Sequence, residues 1–140
     1  MVAERRERGS SLMLMPAAVL VLIVLGAIAV DQSVVYTRQR ELVAAAEAAA
    51  NDAAGYGLDR DAFYAHDEIA LDEPRARAAA LAALRARGLD DAVLVSLRAS
   101  GDAVEVVLST DVPYLFAKAV PGAPDDVRVR AEASAELRRP

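Results

Sequence analysis

Few residues of this 140-residue sequence have the type and spacing that catalysis or metal binding needs. His66 is the only histidine and cysteine is absent, so a zinc site would lack its further nitrogen and sulfur ligands. Adjacent acidic residues occur at Asp67-Glu68, Asp72-Glu73, Asp90-Asp91 and Asp125-Asp126. They lack the spacing of a calcium-binding loop, and they fall where turns and helix starts are expected. The sequence therefore predicts neither an enzyme nor a cofactor, and it favours no small-molecule substrate.

Asp31 is the polar residue whose position is most informative. It directly follows a stretch from Ser11 to Val30 that has no charged residue. One interpretation makes Asp31 a simple polar end to an apolar segment. The other makes its carboxylate a partner for an arginine or an amide of a neighbouring subunit. Both depend on what the preceding stretch does.

The stretch at 11–30 has the length and composition of a transmembrane helix. About 20 residues at 1.5 Å per residue cross the roughly 30 Å hydrocarbon core of a bilayer, and a spanning segment must be helical. A buried core helix is the alternative, but the rest of the chain is too short to surround it. Three arginines precede the segment, against Arg38 and Arg40 shortly after it. The excess predicts a cytoplasmic tail at 1–10 and an extracytoplasmic remainder.

A secretory signal peptide is a second interpretation of the same segment. Ala27-Ile28-Ala29 matches the small-residue pattern of a cleavage site. The apolar run is longer than the 7–15 residues of a signal peptide, and no polar region precedes the match. Cleavage after Ala29 stays open, and it would release the remainder as a secreted domain.

The helix is predicted to continue beyond the membrane segment, through 31–54. This stretch has no proline or glycine and is rich in Ala, Glu, Gln and Arg, which are strong helix formers. Apolar residues recur at helical spacing at Val35, Leu42, Ala45, Ala46, Ala49 and Ala53. Gly55 and Gly57 then predict a stop, so residues 12 to 54 are expected to form one helix, in which Pro16 bends the first turns or marks the start.

Residues 55–140 are expected to form a small α+β domain. A loop is predicted at 55–71, followed by a helix at Arg75–Arg87 with Asp72 as its N-cap and Pro74 in its first turn. Its apolar face is expected to contain Ala78, Leu81, Ala82 and Leu84, and Gly88 to end it.

Three antiparallel strands are predicted after that helix. Val93–Arg98 and Ala103–Thr110 form a hairpin around a four-residue turn that contains Gly101. Val127–Leu137 alternates between apolar and polar residues, which is typical of a strand with one face in water. The narrow stripe of Ala44–Ala54 is expected to pack on the alanine-rich face of this sheet. The prediction is an α+β fold, pilin-like in outline.

The connection between the second and third strands carries an apolar run at Tyr114, Leu115 and Phe116. A short helical turn is possible at Tyr114–Ala119. Two interpretations of the run are open, since exposed apolar patches often mark interfaces. It forms a protein contact, or it covers one end of the small core.

The first third of the chain resembles a known family. The stretch GSSLMLMPAAVLVLIVLGAIAVDQSVVYTRQRELVAAAEAAANDAA is similar to the N-terminal signature of TadE/TadG-like proteins of the Flp (Tad) pilus assembly system. The matching positions are Gly9, Pro16, Gly26, Asp31, Arg38, Gln39, Leu42 and the run from Ala44 to Ala50. Processed members are cut after a glycine and carry a glutamate five residues later. Leu14 stands there, so the chain resembles the uncleaved, TadG-like members more, although cleavage after Gly9 stays open.

The resemblance implies a membrane-anchored accessory or minor component of a pilus assembly or secretion machine. Its partners would be the lipid bilayer and other membrane or pilus subunits. Helix packing and assembly would involve Gly26, Asp31, Tyr36, Arg38 and Leu42. The formal net charge of −5 argues against nucleic acid as a partner. The alternative function is a membrane-tethered or secreted binding module that recognises an envelope ligand.

Overall fold

The computed structural model describes residues 8–56, 71–100 and 103–137. They form an α+β fold with a long helix α1 (Arg8–Tyr56), a shorter helix α2 (Glu73–Ala86) and a three-stranded antiparallel sheet. The strands are β1 (Val93–Ser100), β2 (Ala103–Pro113) and β3 (Asp126–Glu136), in the spatial order β1-β2-β3. A single 3-10 turn, Ala117–Ala119, lies between β2 and β3. The predicted set of elements is confirmed, whereas most of the loop predicted at 55–71, with His66, lies outside the described residues.

Helix α1 is one continuous element of 49 residues. At 1.5 Å per residue it is about 73 Å long. It begins at Arg8, so Pro16 lies inside it and does not mark its start. Proline there removes one backbone hydrogen bond without ending the helix. The predicted continuation of the apolar segment into the folded part of the chain is confirmed.

The two halves of α1 have opposite surroundings. From Leu14 to Val30 the side chains are exposed, with only Ala27 partly covered. Beyond Asp31 one face of the helix is closed off, and Leu42 has no exposed surface. The same is true of alanines at helical spacing, namely Ala45, Ala46, Ala49, Ala50 and Ala53. The change occurs at Asp31, within a single turn of helix.

The core is formed by the second half of α1, by α2 and by the inner face of the sheet. The central strand β2 contributes Val104, Val106 and Leu108, which are completely buried. β3 contributes Val129 and Ala131. Alanine has a short side chain, so the backbone of α1 can lie close to the sheet, and the predicted packing of the alanine stripe is confirmed.

The inner faces of β1 and β3 arise in different ways. β3 alternates as predicted, with its odd-numbered residues turned inward and Arg128, Arg130 and Glu132 exposed. In β1 the pairing with β2 shifts between Leu94 and Ser96. This bulge changes the phase of the strand, so both Leu94 and Leu97 are buried although their separation is odd.

Helix α2 begins as predicted, but its buried face overlaps the predicted one only in part. The Asp72 side chain accepts a hydrogen bond from the Arg75 backbone N–H (3.2 Å), which caps the helix. The buried residues are Ala76, Ala80, Ala83 and Leu84, while Ala78 and Ala82 are exposed and Leu81 is partly exposed. The predicted face is right at Leu84 and at Leu81, which packs against the core, and wrong at Ala78 and Ala82. Alanine occupies both sides of this helix, so composition hardly distinguishes them. Gly88 follows with a positive φ of 66°, as expected for a helix end.

Candidate functional site at the end of the apolar segment

Asp31 is the centre of the most specific polar arrangement in the described residues. Its carboxylate accepts hydrogen bonds from three consecutive backbone N–H groups. Oδ1 lies 2.7 Å from the nitrogen of Leu115 and 3.1 Å from that of Phe116, and Oδ2 lies 2.8 Å from that of Ala117. The side chain is almost completely enclosed, with 4% of Asp31 exposed. The last residue of the apolar half is thus followed by a carboxylate that holds a distant part of the chain.

The segment that Asp31 holds is the connection from β2 to β3, residues 114–125, which we name the Asp31 loop. The loop is closed at its base, where the Tyr114 N–H donates to the Asp125 carbonyl oxygen (2.9 Å). The 3-10 turn is closed by the N–H of Ala119, which donates to Phe116 O (3.0 Å). Successive N–H groups in such a turn point to one side and form a concave site for an anion. Asp31 supplies that anion.

The surroundings of Asp31 favour its charged form. Burial raises the pKa of its carboxyl, but the hydrogen bonds from Phe116, Ala117 and Leu115 and the charge of Lys118 outweigh burial and bring the pKa below its ordinary value of 3.8. A carboxylate that accepts several backbone N–H bonds behaves in this way. Asp31 is therefore ionised at neutral pH, and its negative charge is compensated within the same chain.

A shallow cavity adjoins this carboxylate. It is lined by Ile28, Asp31, Gln32, Tyr114, Ala117 and Pro124. Ile28 belongs to the apolar half of α1, and Tyr114, Ala117 and Pro124 belong to the Asp31 loop. The loop therefore lies beside the final turn of the apolar half, at the level where one face of α1 changes from exposed to buried.

A second polar cluster joins α1 to the loop before β1. Arg38 donates to both carboxylate oxygens of Asp91, at 2.5 and 2.6 Å, and to Oε2 of Glu41 at 3.0 Å. The buried hydroxyl of Thr110, on β2, donates to Asp91 Oδ2 (2.8 Å). The hydrogen bonds from Arg38 and then from Thr110 lower the pKa of Asp91, and that of Arg38 is raised mainly by Asp91. This cluster fixes the register of α1 against β2.

The residues predicted for helix packing and assembly separate into two groups. Asp31, Arg38 and Leu42 have partners within the chain: the amides of the Asp31 loop, Asp91 and the core. One of the two interpretations of Asp31 gave it an arginine or amide of a neighbouring subunit as partner, whereas the amides that it binds here belong to its own chain. Gly26 and Tyr36 face outward. No atom lies within 4 Å of the place where a Cβ of Gly26 would be.

The apolar run of the Asp31 loop is largely exposed. Leu115 and Phe116 are each 49% exposed, and neither belongs to the core or to the partly buried residues packed against it. Tyr114 is partly buried beside Asp31. Leu115 and Phe116 thus lie outside the buried core, and both interpretations of the run remain predictions.

Sequence reasoning missed the partners of these polar side chains. Asp90-Asp91 was assigned to a turn, which is correct, but nothing in the sequence pairs Asp91 with Arg38. The partners of Asp31 are main-chain groups, which leave no signature in side-chain identity. The acidity of Asp31 beside an apolar segment was the available signal, and it indicated the position but not the partner.

Among the described residues, no group of three or more His, Asp or Glu side chains is placed to hold a metal ion. The carboxylates of Asp31 and Asp91 are engaged by donors of the same chain. These bonds attach the β2–β3 connection and the loop before β1 to α1.

Comparisons with known protein families, with characterised proteins and with solved structures find no match for this chain.

Proposed function

We propose that this chain is a membrane-anchored, pilin-like component of a Tad-type pilus assembly or secretion machine, and that it acts through helix packing and protein contact. The observation that carries the proposal is the contrast between the two halves of α1. One half is apolar and bare, and the other half forms the core of a small domain. A long helix with this division is the outline of a pilin-like subunit.

Membrane insertion of the bare half accounts for its exposure. By its length and composition, the helix from Leu14 onward is long and apolar enough to cross a membrane. Exposed apolar surface of this extent is rare in soluble monomers. Arg5, Arg6 and Arg8 precede the span and favour a cytoplasmic N-terminus. The domain from Asp31 onward is then extracytoplasmic.

The outward face of α1 is the proposed surface for assembly. Beyond the membrane this face contains Tyr36, Arg40, Val43 and Glu47, which are exposed and recur at helical spacing. The guanidinium carbon of Arg40 lies 5.9 Å from the centroid of the Tyr36 ring, so the two side chains form one continuous surface. Within the membrane Gly26 gives a neighbouring helix room for close approach. The similarity of residues 9–54 to the TadE/TadG-like signature supports the same assignment.

The alternative of a binding module on a passive tether fits the structure less well. A passive tether would leave the domain complete without it, but the buried leucine and alanines of α1 form one side of the core. However, every core residue follows Val30. A domain released by cleavage after Ala29 would keep its core, so the secreted version of the alternative is the one that has to be tested.

Anchoring and orientation are tested by labelling single cysteines in whole cells, since the natural chain has none. Ser134→Cys, on the exposed face of β3, is expected to react with a membrane-impermeant maleimide. Ala3→Cys is expected to react only after the membrane is opened. Protein that stays in the membrane pellet at alkaline pH and starts at Met1 or Val2 supports the anchor. A mature N-terminus at Val30 would refute it.

Assembly is tested by cross-linking in the native host. Tyr36→Cys and Val43→Cys are expected to form disulfide-linked products with another subunit of the machine, whereas Ser134→Cys, which is also exposed but lies on the sheet, forms none. Gly26→Leu is expected to reduce assembled pili while the chain still accumulates in the membrane. Its matched control is Ile23→Leu, which keeps the volume at an exposed position. Normal assembly with Gly26→Leu and no product at either cysteine would rule out this use of α1.

A further inference from the structure

We infer that the Asp31 loop is a second point of membrane contact, at which Leu115, Phe116 and Val120 enter the boundary between headgroups and acyl chains. The leaflet is the one from which α1 emerges. This inference rests on the proposed membrane span of α1, and it adds a lipid-binding surface to the outer domain.

The height of the loop relative to α1 is the first argument. The amides of Leu115, Phe116 and Ala117 bind the carboxylate of Asp31, which is the first residue after the apolar segment. Ile28, three residues before Asp31, lines the same cavity as Tyr114 and Ala117. Three residues of helix correspond to about 4.5 Å. If the segment 11–30 fills the hydrocarbon core, the loop must therefore lie at its edge.

The chemistry of the loop surface is the second argument. Leu115 and Phe116 are each 49% exposed and Val120 is 59% exposed, so three large apolar side chains face outward within six residues. The exposed Lys118 lies between them. Apolar and aromatic side chains with a neighbouring lysine are the composition of a membrane-interface segment, because a long cationic side chain can extend to the phosphates while its stem stays among lipids.

The attachment to Asp31 is the third argument. A loop that only covered the core would be held through its apolar side chains. Here the backbone is held by the carboxylate, and these side chains are left outside the core. Main-chain attachment fixes the height of the loop while leaving its apolar side chains available for lipid. If the segment 11–30 spans the bilayer, α1 places a lipid interface beside them.

Tryptophan fluorescence tests the inference directly, since the natural chain contains no tryptophan. The full-length chain is reconstituted into phosphatidylcholine–phosphatidylglycerol vesicles with and without brominated acyl chains. Three single variants are compared: Leu22→Trp in the span, Phe116→Trp in the loop, and Val93→Trp, which is exposed on β1. We expect brominated lipid to quench Leu22→Trp and Phe116→Trp and to leave Val93→Trp unchanged. Emission of Phe116→Trp should also shift to shorter wavelength on reconstitution.

The outcomes separate the two proposals. If Leu22→Trp is not quenched, the membrane span itself is refuted. If Leu22→Trp is quenched and Phe116→Trp is not, the span stands and the loop contact is overturned. A shift of Phe116→Trp emission without quenching would mean burial against protein, which also overturns it. Val120→Trp provides a second probe of the same loop in case Phe116→Trp disturbs the fold, and it should give the same result as Phe116→Trp.

Discussion

At the scale of single residues, Asp31 shows how a charge next to an apolar helix becomes useful to the fold. Its two oxygens face donors only, so the position requires a side chain that accepts hydrogen bonds and donates none. Any neutral replacement leaves at least one backbone N–H group of the loop without its partner. Such a replacement destabilises the loop and not α1, because α1 makes its own backbone hydrogen bonds on either side of Asp31.

Asp31→Asn is therefore expected to release the Asp31 loop while α1 stays helical. The asparagine NH₂ group would face a backbone N–H, and two donors cannot bond each other. Hydrogen–deuterium exchange of the detergent-solubilised chain should become faster at Leu115, Phe116 and Ala117 and stay unchanged in β2. Ser33→Ala, two residues away on an exposed part of α1, is the control. Unaltered exchange at the three amides in Asp31→Asn would contradict the role assigned to this carboxylate.

Acid is expected to weaken the same attachments. The pKa values of Asp31 and Asp91 in the folded protein lie below the ordinary value of 3.8. Groups whose pKa is lowered by folding stabilise the protein fully above the unfolded value and lose that contribution as the pH falls through the folded value. The melting temperature in detergent should thus change little from these groups between pH 7 and pH 5, as a rough window, and decrease below about pH 4.

The matched variant for this pH dependence is Asp91→Asn. It removes one of the carboxylates whose pKa is lowered in the folded protein, so its melting temperature should start lower and decrease less steeply in acid. If the melting temperature of Asp91→Asn fell with pH as steeply as that of the unmodified chain, Asp91 would not contribute to the loss of stability in acid.

At the scale of elements, the prediction from sequence succeeded where charged and apolar residues alternate. It was least accurate where alanine dominates. In α1 the stripe around Leu42 and Ala46 is flanked by Glu41 and Glu47, so the inner face was evident. In β3 charged residues alternate with small apolar ones for the whole strand. In α2 alanine lies on every side, and only the contacts made in three dimensions select Ala76, Ala80 and Ala83. The bulge in β1 has no sequence signal of its own.

The alanines of α1 set its distance from the sheet, which a larger residue would increase. Ala49→Leu is expected to reduce the free energy of unfolding by about 1–3 kcal/mol, since added volume in a packed core forces neighbours out of place. Ala49 has no exposed surface, whereas Ala44, five residues earlier on the same helix, is exposed. Ala44→Leu should leave stability nearly unchanged. Urea unfolding followed by circular dichroism measures both, and equal effects at the two positions would argue against close packing of this stripe.

At the scale of the whole molecule, the folded domain includes part of the long helix α1. Residues 42–54 of α1 contribute to the same core as α2 and the sheet. The domain therefore has to include the helix from about Asp31 onward. Sequence reasoning anticipated this packing from the narrow stripe, but the attachments of Asp31 and Arg38 that position it came only from the structure.

Two truncations test this definition of the domain. A fragment that starts at Val30 should fold and unfold cooperatively in urea, because it retains every core residue. A fragment that starts at Gly55 should not, because the loss of Leu42 alone removes a fully buried leucine, and truncating a leucine to alanine costs about 2–5 kcal/mol. Cooperative unfolding of the shorter fragment would show that the sheet and α2 suffice.

Because α1 is one unbroken helix, the number of residues before Asp31 sets the direction in which the outer domain faces. Each residue of an α-helix turns the chain by about 100°, so one alanine inserted between Leu22 and Ile23 would rotate the outer domain by that angle relative to the N-terminal part of the span. Seven inserted residues would return it to within about 20° of its original azimuth while raising it by about 10 Å. Cross-links from Tyr36 should disappear with one added residue. Whether seven residues restore them would tell whether the machine senses the direction in which the domain points or its height above the lipid.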